Sequence, residues 1–347
     1  MELWVDAVFV ILVALLIDRF IGELPNRFHP LRWLGLMLGW IDRHITDRGR
    51  IAKLWGFLSY LAMFLLILFV TLSFITVVCM LVAKTDISFD IGTVSVSLAE
   101  IVWILLTGLF MKVTFAVFSF RKHCRPIQDD LRSGKVEDAA VKVQMIVSRN
   151  TEGMDAEHIA SSCCETITEN LVDSVMSPTF YGGLLGLPGA IMFRCANLMD
   201  AMWGYLNEKY GNLGFFPAKF DDVLGFLTAR VSPYFVVLAA KIMRFGDHPS
   251  ITEAAKNEHT KTPSPNSGYP MTACAAALGI SMEKKGVYVM GTGHLPTVDD
   301  ITRCYHLVEL TSIIFILLIM LPLYALIGVH VQVFFEGILG GLFGGLI

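Results

Sequence analysis

Charged side chains are scarce in this sequence. Asp, Glu, Lys and Arg make up 17% of the 347 residues, against about 25% in an average soluble domain. The stretch from Leu54 to Ala83 contains none of them. As a helix it would measure roughly 45 Å, which exceeds the roughly 30 Å hydrocarbon core of a bilayer. This pattern excludes an ordinary soluble domain and predicts an all-α polytopic membrane protein.

Several chemical signatures are also missing. The seven cysteines include no CxxC pair and the nine histidines form no HExxH motif, which argues against a disulfide framework and a zinc site. No GxxxxGK[ST] sequence is present, which excludes a Walker-type nucleotide site. The net charge of −4 gives no support to nucleic-acid binding.

Four segments are expected to span the membrane: 3–21, 54–83, 101–120 and 310–335, the last interrupted by Pro322. We expect 3–21 to be retained, because the acidic Glu2 and Asp6 do not suit a signal peptide. Lys and Arg are abundant between 18 and 53, including Arg48, and sparse between 84 and 100. The positive-inside rule therefore predicts an external N-terminus, an external 84–100 loop and a cytoplasmic side for the chain from 121 onward.

Three regions follow from this pattern: N-terminal membrane helices in 1–120, a cytoplasm-facing helical region in 121–306, and a C-terminal membrane helix in 307–347, whose glycine-rich tail indicates close helix packing. Apolar periodicity predicts amphipathic helices at 136–149 and 155–175. Two apolar stretches, 175–206 and 223–243, are interrupted by prolines and charges. They either cross the bilayer or insert halfway and line a cavity.

The 155–175 helix carries the strongest candidate site. Asp155 is a plausible N-cap, and Glu165, Glu169 and Asp173 follow at intervals of four residues on one face. Like charges at this spacing repel each other. The face is therefore either an ordinary solvated surface or a Mg²⁺ site, since Mg²⁺ prefers carboxylate oxygens and substrate phosphates.

A second set of polar residues interrupts an apolar segment: Arg194, Asn197, Asp200, Gly204 and Asn207. Ionisable residues at membrane depth generally face a cavity or a partner, so this stripe indicates either a lined cavity or mutual neutralisation of Arg194 and Asp200. Asp221 and Asp222 form a further acidic pair.

The segment from Ser264 to Pro270 is rich in turn-forming residues and leads into an alanine-rich helix at 271–279. The backbone N–H groups of such a loop can hold an anion, although a simple connection gives the same pattern.

The run from Glu165 to Pro178 reads ETITENLVDSVMSP, which resembles the ExxxENxVDGxxxP signature of the CobD/CbiB family of membrane adenosylcobinamide-phosphate synthases. The resemblance continues in order along most of the chain, at Gly22 to Pro25 with His29 and Pro30, Arg149 to Thr151, Arg194 with Asn197 and Asp200, Gly204 to Asn207, Ala218 to Asp222, Arg230, Ser264 to Met271, and as far as Asp300 and Ile301. The chain departs from the family pattern at Glu23, Leu24, Asn150, Ser174 and Lys219.

This resemblance implies an ATP- and Mg²⁺-dependent ligase. It would join the free propionate of adenosylcobyric acid to (R)-1-aminopropan-2-ol or its O-phosphate, giving adenosylcobinamide or its phosphate. The expected catalytic residues are Glu165, Glu169, Asn170 and Asp173. Those expected to bind substrate or phosphate are Arg149, Arg194, Asn197, Asp200, Asn207, Ser264 and Asn266, and the expected metal ligands are Glu165, Glu169, Asp173, Asp221 and Asp222.

The same family likeness leads us to expect a multi-pass protein of the cell membrane, in contact with lipid and forming a homo-oligomer, with its active site on the cytoplasmic side. That site is expected to use both the 155–175 helix and the 194–222 region. Two alternatives belong to other classes. The interrupted apolar segments suit a secondary transporter, and a non-catalytic membrane regulator can share the same scaffold.

Overall fold

The computed structural model describes residues 2–23, 27, 30–45 and 49–345. Of the residues in the predicted motifs and loops, Leu24, Pro25, His29 and Arg48 lie outside the described residues. The chain is 76% helical. Strands form only two small antiparallel hairpins in the described part of the chain, and the predicted all-α class is confirmed.

The α-helices are α1 (Leu3–Leu16), α2 (Pro30–His44), α3 (Ala52–Ala83), α4 (Leu98–Thr114), α5 (Ser119–Arg132), α6 (Val136–Gln144), α7 (Ala156–Asn170), α8 (Ser177–Leu185), α9 (Leu187–Trp203), α10 (Phe215–Met243), α11 (His248–Glu258), α12 (Gly268–Leu278), α13 (Val298–Phe315), α14 (Leu321–Leu323) and α15 (Val329–Phe343). The strands are β1 (Ser88–Ile91) paired with β2 (Val94–Ser97), and β3 (Met282–Lys284) paired with β4 (Tyr288–Met290).

Among the described residues, three helices are long and apolar enough to cross a membrane: α3, α10 and the continuous stretch Val298–Phe343. A fourth is added if α4 and α5 are counted as one bent span. The predicted 3–21 helix forms, as α1 followed by a π-helical segment at Ile17–Ile21. It falls outside this set because it carries Asp6, Asp18 and Arg19.

Two predicted helices end earlier than expected. The predicted 101–120 helix stops at Thr114, where Phe115 adopts an extended conformation, and a new helix starts only at Ser119. The backbone N–H of Ala116 instead donates to the carbonyl of Ser174. The predicted 136–149 helix stops at Gln144, although its expected apolar residues Ala139, Ala140 and Val143 are buried.

Pro322 does not break the C-terminal helix. A proline lacks the N–H of a helical hydrogen bond and collides with the preceding turn. Here α14 is flanked by π-helical segments at Ile316–Met320 and Tyr324–Gly328, and the wider π turns accommodate the ring. The expectation of close packing in the glycine tail is wrong for Gly337 and Gly341, where an added Cβ would meet nothing within 4 Å.

The chain divides into two compact units. The first comprises Met1–Phe115, Pro178–Val223 and Leu317–Ile347, and the second comprises Ala116–Ser177 and Leu224–Ile316. The predicted division into 1–120, 121–306 and 307–347 concerns the position of each region relative to the membrane, and it stays a prediction.

In the first unit, α1, α3, α4, α9 and α15 pack on one another. Gly108 allows α4 to approach α1, since a Cβ there would lie 2.6 Å from Cγ1 of Val13. Lys112, the lone charge of the predicted 101–120 span, is 1% exposed and lies 3.1 Å from Asp18 and 2.9 Å from Glu23. These carboxylates compensate the buried ammonium group.

The segment predicted as 175–206 forms a helical hairpin in the first unit. The rings of Tyr181 in α8 and Phe193 in α9 lie 6.1 Å apart, whereas twelve residues of continuous helix would separate them by roughly 18 Å. Gly186 makes the reversal with φ of +69°, and a Cβ there would lie 2.7 Å from the carbonyl oxygen of Gly328. Neither α8 nor α9 is among the described helices that are long and apolar enough to cross a membrane.

In the second unit, α7 packs against α5, α6, α12, α13 and the β3–β4 hairpin. Asp155 is its N-cap as predicted, and the carboxylate accepts from the His158 backbone N–H at 2.9 Å. The expected apolar face, Ala160, Cys163, Ile167 and Leu171, is fully buried. The opposite face of α7 is thereby held at a fixed position and presents its carboxylates.

Candidate functional site

The carboxylate of Glu165 is enclosed in the second unit, where it is 2% exposed. Arg149 donates to it from both guanidinium nitrogens, with Nη1 3.1 Å from Oε1 and Nη2 2.5 Å from Oε2. The loop that carries Arg149 follows α6 and reaches back to α7. A two-pronged pair of this kind fixes the orientation of both side chains.

Two further side chains complete the surroundings of Glu165. The hydroxyl of Tyr288, from β4, donates to Oε2 at 2.6 Å. The hydroxyl of Ser161, one turn earlier on α7, donates to Oε1 at 3.1 Å. Burial, followed by the nearby Glu165 charge, raises the pKa of Tyr288, so its phenol remains a donor. Because Arg149, Tyr288 and Ser161 all donate to Glu165, its oxygens are already occupied within the protein.

Glu169 is the accessible carboxylate of this cluster. Its side chain is exposed to solvent. Partial desolvation by the neighbouring protein, followed by the negative charge of Glu165, raises the pKa of Glu169, while Lys284 and Arg149 act in the opposite direction. An accessible carboxyl group with a raised pKa can accept a proton from a substrate at a pH nearer neutrality than an ordinary glutamate.

The remaining predicted residues of this helix have distinct positions. Asn170 donates to the carbonyl of Thr166 at 2.8 Å and accepts from the Ser174 hydroxyl at 2.7 Å. Asp173 lies in the π-helical segment Leu171–Met176. The wider turn there alters the four-residue register that placed it on the face of Glu165 and Glu169.

The first unit contains the second predicted cluster. Nη1 of Arg194 donates to Oδ1 of Asn197 at 3.0 Å, and the Asn197 side chain also hydrogen-bonds the Asp221 carboxyl group. Asp200 and Asp222 are close enough to interact electrostatically with Asp221. The first turns of α10 thus bring both aspartates of the predicted pair to the polar stripe of α9.

The carboxyl group of Asp221 shows whether the residues of this cluster suit a bound cation. Its Oδ1 is buried and has no hydrogen-bond partner in the part of the chain that the structure describes. A buried carboxylate oxygen beside other carboxylates suits a divalent cation, and Mg²⁺ needs only one or two protein carboxylates when phosphate and water complete its shell. The described residues form no group of three or more His, Cys, Asp or Glu side chains that could together hold a metal ion.

Gly204 shapes the position of Asp200. Its backbone N–H donates to the Asp200 carbonyl at 2.7 Å, and a Cβ at this residue would lie 2.1 Å from Oδ1 of Asp200. Any larger residue would therefore displace that carboxylate. Asn207, the last residue of the predicted stripe, has a local role, since its side chain accepts from the backbone N–H of Tyr210 at 2.9 Å.

The Ser264–Gly268 turn lies in the second unit and leads into α12, as predicted. Oγ of Ser264 accepts from the backbone N–H groups of Asn266 and Ser267 at 3.3 and 3.4 Å. Oδ1 of Asn266 accepts from Nη1 of Arg230 at 3.3 Å. These side chains organise the turn and orient an arginine.

Sequence reasoning did not identify Tyr288, Ser161 or Lys284 as parts of the Glu165 cluster. The signal for Tyr288 and Lys284 was the short alternating sequence Met282 to Met290 around Gly286, which forms the β3–β4 hairpin. Gly286 makes the turn with φ of +74°. The signal for Ser161 was its four-residue spacing from Glu165 on one helix.

Comparisons with known proteins identify the family of the chain. A sequence model of the family described as "CobD/Cbib protein" matches residues 11–318. A protein of Methanothermobacter thermautotrophicus named "Probable cobalamin biosynthesis protein CobD" is 35% identical over 81% of this chain and 86% of its own length. Proteins of the same name from Methanocaldococcus jannaschii and Pyrococcus abyssi are 32% and 33% identical, over 89% and 88% of this chain and 96% and 94% of theirs.

No solved structure matches the chain. The family match covers most of the sequence and includes both polar clusters described above. The relatives align over nearly their whole lengths. The chain is therefore a member of the CobD/CbiB protein family.

Proposed function

We propose that this protein acts in cobalamin biosynthesis as an ATP-dependent ligase. It would join the free propionate of adenosylcobyric acid to (R)-1-aminopropan-2-ol or its O-phosphate. Family membership and the names of the relatives support the pathway. The reaction itself is supported by the chemistry of the residues in the two clusters.

The reaction requires activation of a carboxylate, which is a poor acyl donor. Transfer of the γ-phosphoryl group of ATP would form an acyl phosphate and ADP. The amine would then attack the acyl carbon, form the amide C–N bond and release phosphate. An amine attacks only when it is unprotonated, so a base must take the proton of the ammonium group.

Glu169 carries the proposal, because it is solvent-accessible and has a raised pKa. We assign to its carboxylate the removal of the ammonium proton. Glu165 would be a positioning residue: its negative charge raises the proton affinity of Glu169, and Arg149 and Tyr288 keep its carboxylate in place. Asn170 would orient the polar groups beside this base.

The first unit offers a candidate site for cation and phosphate. Mg²⁺, when bound, would neutralise charge on the transferred phosphoryl group. Asp221, with its unpartnered buried oxygen, and the neighbouring Asp200 and Asp222 are the residues we expect to hold it. Arg194, oriented by Asn197, is the expected phosphate ligand of this cluster.

The direct test uses detergent-purified full-length protein with adenosylcobyric acid, MgATP and each amine, with products identified by mass. We expect an amide product and stoichiometric ADP. Glu169→Gln should lower the rate about 100-fold or more, as loss of a general base does, while Glu157→Gln, an exposed residue of the same helix, should leave it unchanged. Corrinoid flux into vesicles without ATP turnover or amide formation would favour the transporter instead.

We further propose a cell-membrane location with the reaction on the cytoplasmic side, because ATP is a cytoplasmic solute. The apolar helices support a multi-pass membrane protein. Lipid and the corrinoid and amine substrates are the proposed partners. A homo-oligomer remains a proposal, tested by the mass of the purified protein in detergent.

A further inference from the structure

A cavity of about 670 Å³ lies wholly within the second unit, between the later part of α10, helix α11 and the start of α12. Its lining includes Arg230, Glu253, Lys256, His259 and Tyr269. Its volume falls within the range of about 300–1,000 Å³ that is usual for small-molecule sites. None of these residues belongs to the Glu165 or Asp221 clusters.

Arg230 is held in a fixed orientation in the cavity wall. Its guanidinium carbon lies 3.3 Å from the ring centre of Phe226 and 5.0 Å from that of Tyr269. Nη1 donates to the carbonyl of Phe226 at 2.9 Å and to Oδ1 of Asn266 at 3.3 Å. A guanidinium fixed in this way loses little side-chain entropy when its other N–H groups bind an oxyanion.

His259 is also oriented. Its ring stacks on Tyr269 with centroids 4.2 Å apart. Its Nδ1 lies 3.1 Å from the carbonyl oxygen of Ala255 and 3.0 Å from that of Lys256. Since a carbonyl only accepts, Nδ1 carries the hydrogen, and Nε2 is the ring nitrogen available to a ligand.

The charges of the lining indicate a water-filled cavity that attracts anions. Arg230 and Lys256 are the basic residues of the lining, and Glu253 is its acidic member. Charged side chains are costly in lipid and face protein or water when they occur near a membrane. Tyr234, 67% exposed at the rim, adds an aromatic surface.

We propose that this cavity binds the phosphate group of a small phosphorylated molecule. Arg230 would supply the fixed donors and Lys256 a mobile positive charge, while Nε2 of His259, an acceptor in this tautomer, would accept a hydrogen bond from a hydroxyl or ammonium group of the same ligand. The aromatic rings would contact the rest of the ligand. Phosphate binding here is independent of the reaction proposed above; only the identity of the physiological ligand, ATP or the phosphorylated amino alcohol, rests on that function.

Substitution of Glu253 distinguishes ATP from the phosphorylated amino alcohol as the ligand. Beside a phosphate alone its charge is repulsive, whereas an ammonium group on the same ligand gains a counter-charge. In the absence of Mg²⁺, Glu253→Gln should therefore strengthen the binding of ATP and of inorganic phosphate. The same change should weaken the binding of aminopropanol phosphate if that molecule is the ligand.

The experiment is calorimetric titration of the full-length protein in detergent with ATP, aminopropanol phosphate, inorganic phosphate and unphosphorylated aminopropanol. Lys256→Ala changes an exposed side chain and should preserve the fold, while Arg230→Lys retains charge but loses the guanidinium fork. Each should weaken binding of the phosphorylated ligand roughly tenfold, the effect of losing one charge-assisted contact. Lys122→Ala, which removes an exposed lysine of α5, is the matched control and should not alter it.

Saturable binding of either phosphorylated ligand, weakened by both cavity variants and unaffected in the control, supports the proposal, with or without ligase activity. Absence of binding, or binding that all three variants leave unchanged, overturns it. Loss of amide formation with intact phosphate binding would instead count against the proposed function alone.

Discussion

Both guanidinium nitrogens of Arg149 donate to the two carboxylate oxygens of Glu165, over 3.1 and 2.5 Å. The pair joins the loop after α6 to the face of α7 that carries Glu165 and Glu169. It also determines which acidic residue of that face is available to a substrate. Glu165 is occupied within the protein, and Glu169, one turn later, is accessible.

Removing the arginine should destabilise the protein. Arg149→Ala leaves Glu165 buried without its counter-charge, which typically costs about 3 kcal/mol. Arg132→Ala, which removes an exposed pair with Asp299, should cost less than about 1 kcal/mol. Chemical unfolding in detergent measures both. Equal stability losses in the two variants would contradict the structural role of the Arg149–Glu165 pair.

The raised pKa of Glu169 should be visible in the pH dependence of stability. Burial and the charge of Glu165 raise this pKa in the folded protein. Between the ordinary and the raised pKa, the folded protein keeps a proton that the unfolded chain has lost, so the free energy of unfolding decreases as pH rises. Glu169→Gln has no charge to lose and should become more stable relative to the wild type as pH rises from 4 to 8.

The measurement is the melting temperature of both proteins across that pH range. Glu157→Gln on the exposed first turn of α7 serves as the control. A Glu169→Gln profile parallel to that of the wild type would show that the environment does not perturb this carboxyl group.

Gly204 is expected to be required for the Asp221 cluster. In Gly204→Ala the new methyl group would overlap Oδ1 of Asp200. The variant should raise the Mg²⁺ concentration needed for half-maximal turnover and lose about 1–3 kcal/mol of stability through overpacking. Gly341→Ala, which meets no neighbour, should change neither quantity. An unaltered Mg²⁺ dependence in Gly204→Ala would show that the Asp221 cluster does not bind the metal.

Sequence patterns predicted the elements that depend on local spacing. The N-cap Asp155, the buried face of α7 and the turn before α12 follow from residue types at fixed intervals, and the structure has them as expected. The run of uncharged residues likewise predicted the membrane helix α3.

Helix ends and tertiary contacts could not be predicted from local sequence patterns. No residue type near Thr114 marks the end of α4, and just beyond it the backbone N–H of Ala116 donates to the carbonyl of Ser174, 58 residues later. The isolated charge of Lys112 is explained only by the distant Asp18 and Glu23. Tyr288 reaches Glu165 across 123 residues, and no local pattern encodes such a contact.

The predicted membrane orientation can be measured independently of activity. Cysteines replacing the exposed Ser95 and Lys135 are suitable probes, whereas Gly134 has φ of +73° and would be strained by a side chain. The charge distribution predicts that a membrane-impermeant maleimide labels intact cells at position 95 and spares position 135. The opposite labelling pattern would invert the orientation.

The most direct test of the central claim follows the oxygen atoms of the substrate carboxylate. Adenosylcobyric acid labelled with ¹⁸O in its free carboxyl group is incubated with the protein, MgATP and the amine, and the phosphate released is analysed by mass. An acyl phosphate transfers one labelled oxygen to inorganic phosphate and leaves the other in the amide, which is the result we expect. An amide formed with unlabelled phosphate, or ATP hydrolysed without an amide, would contradict the proposed ligase.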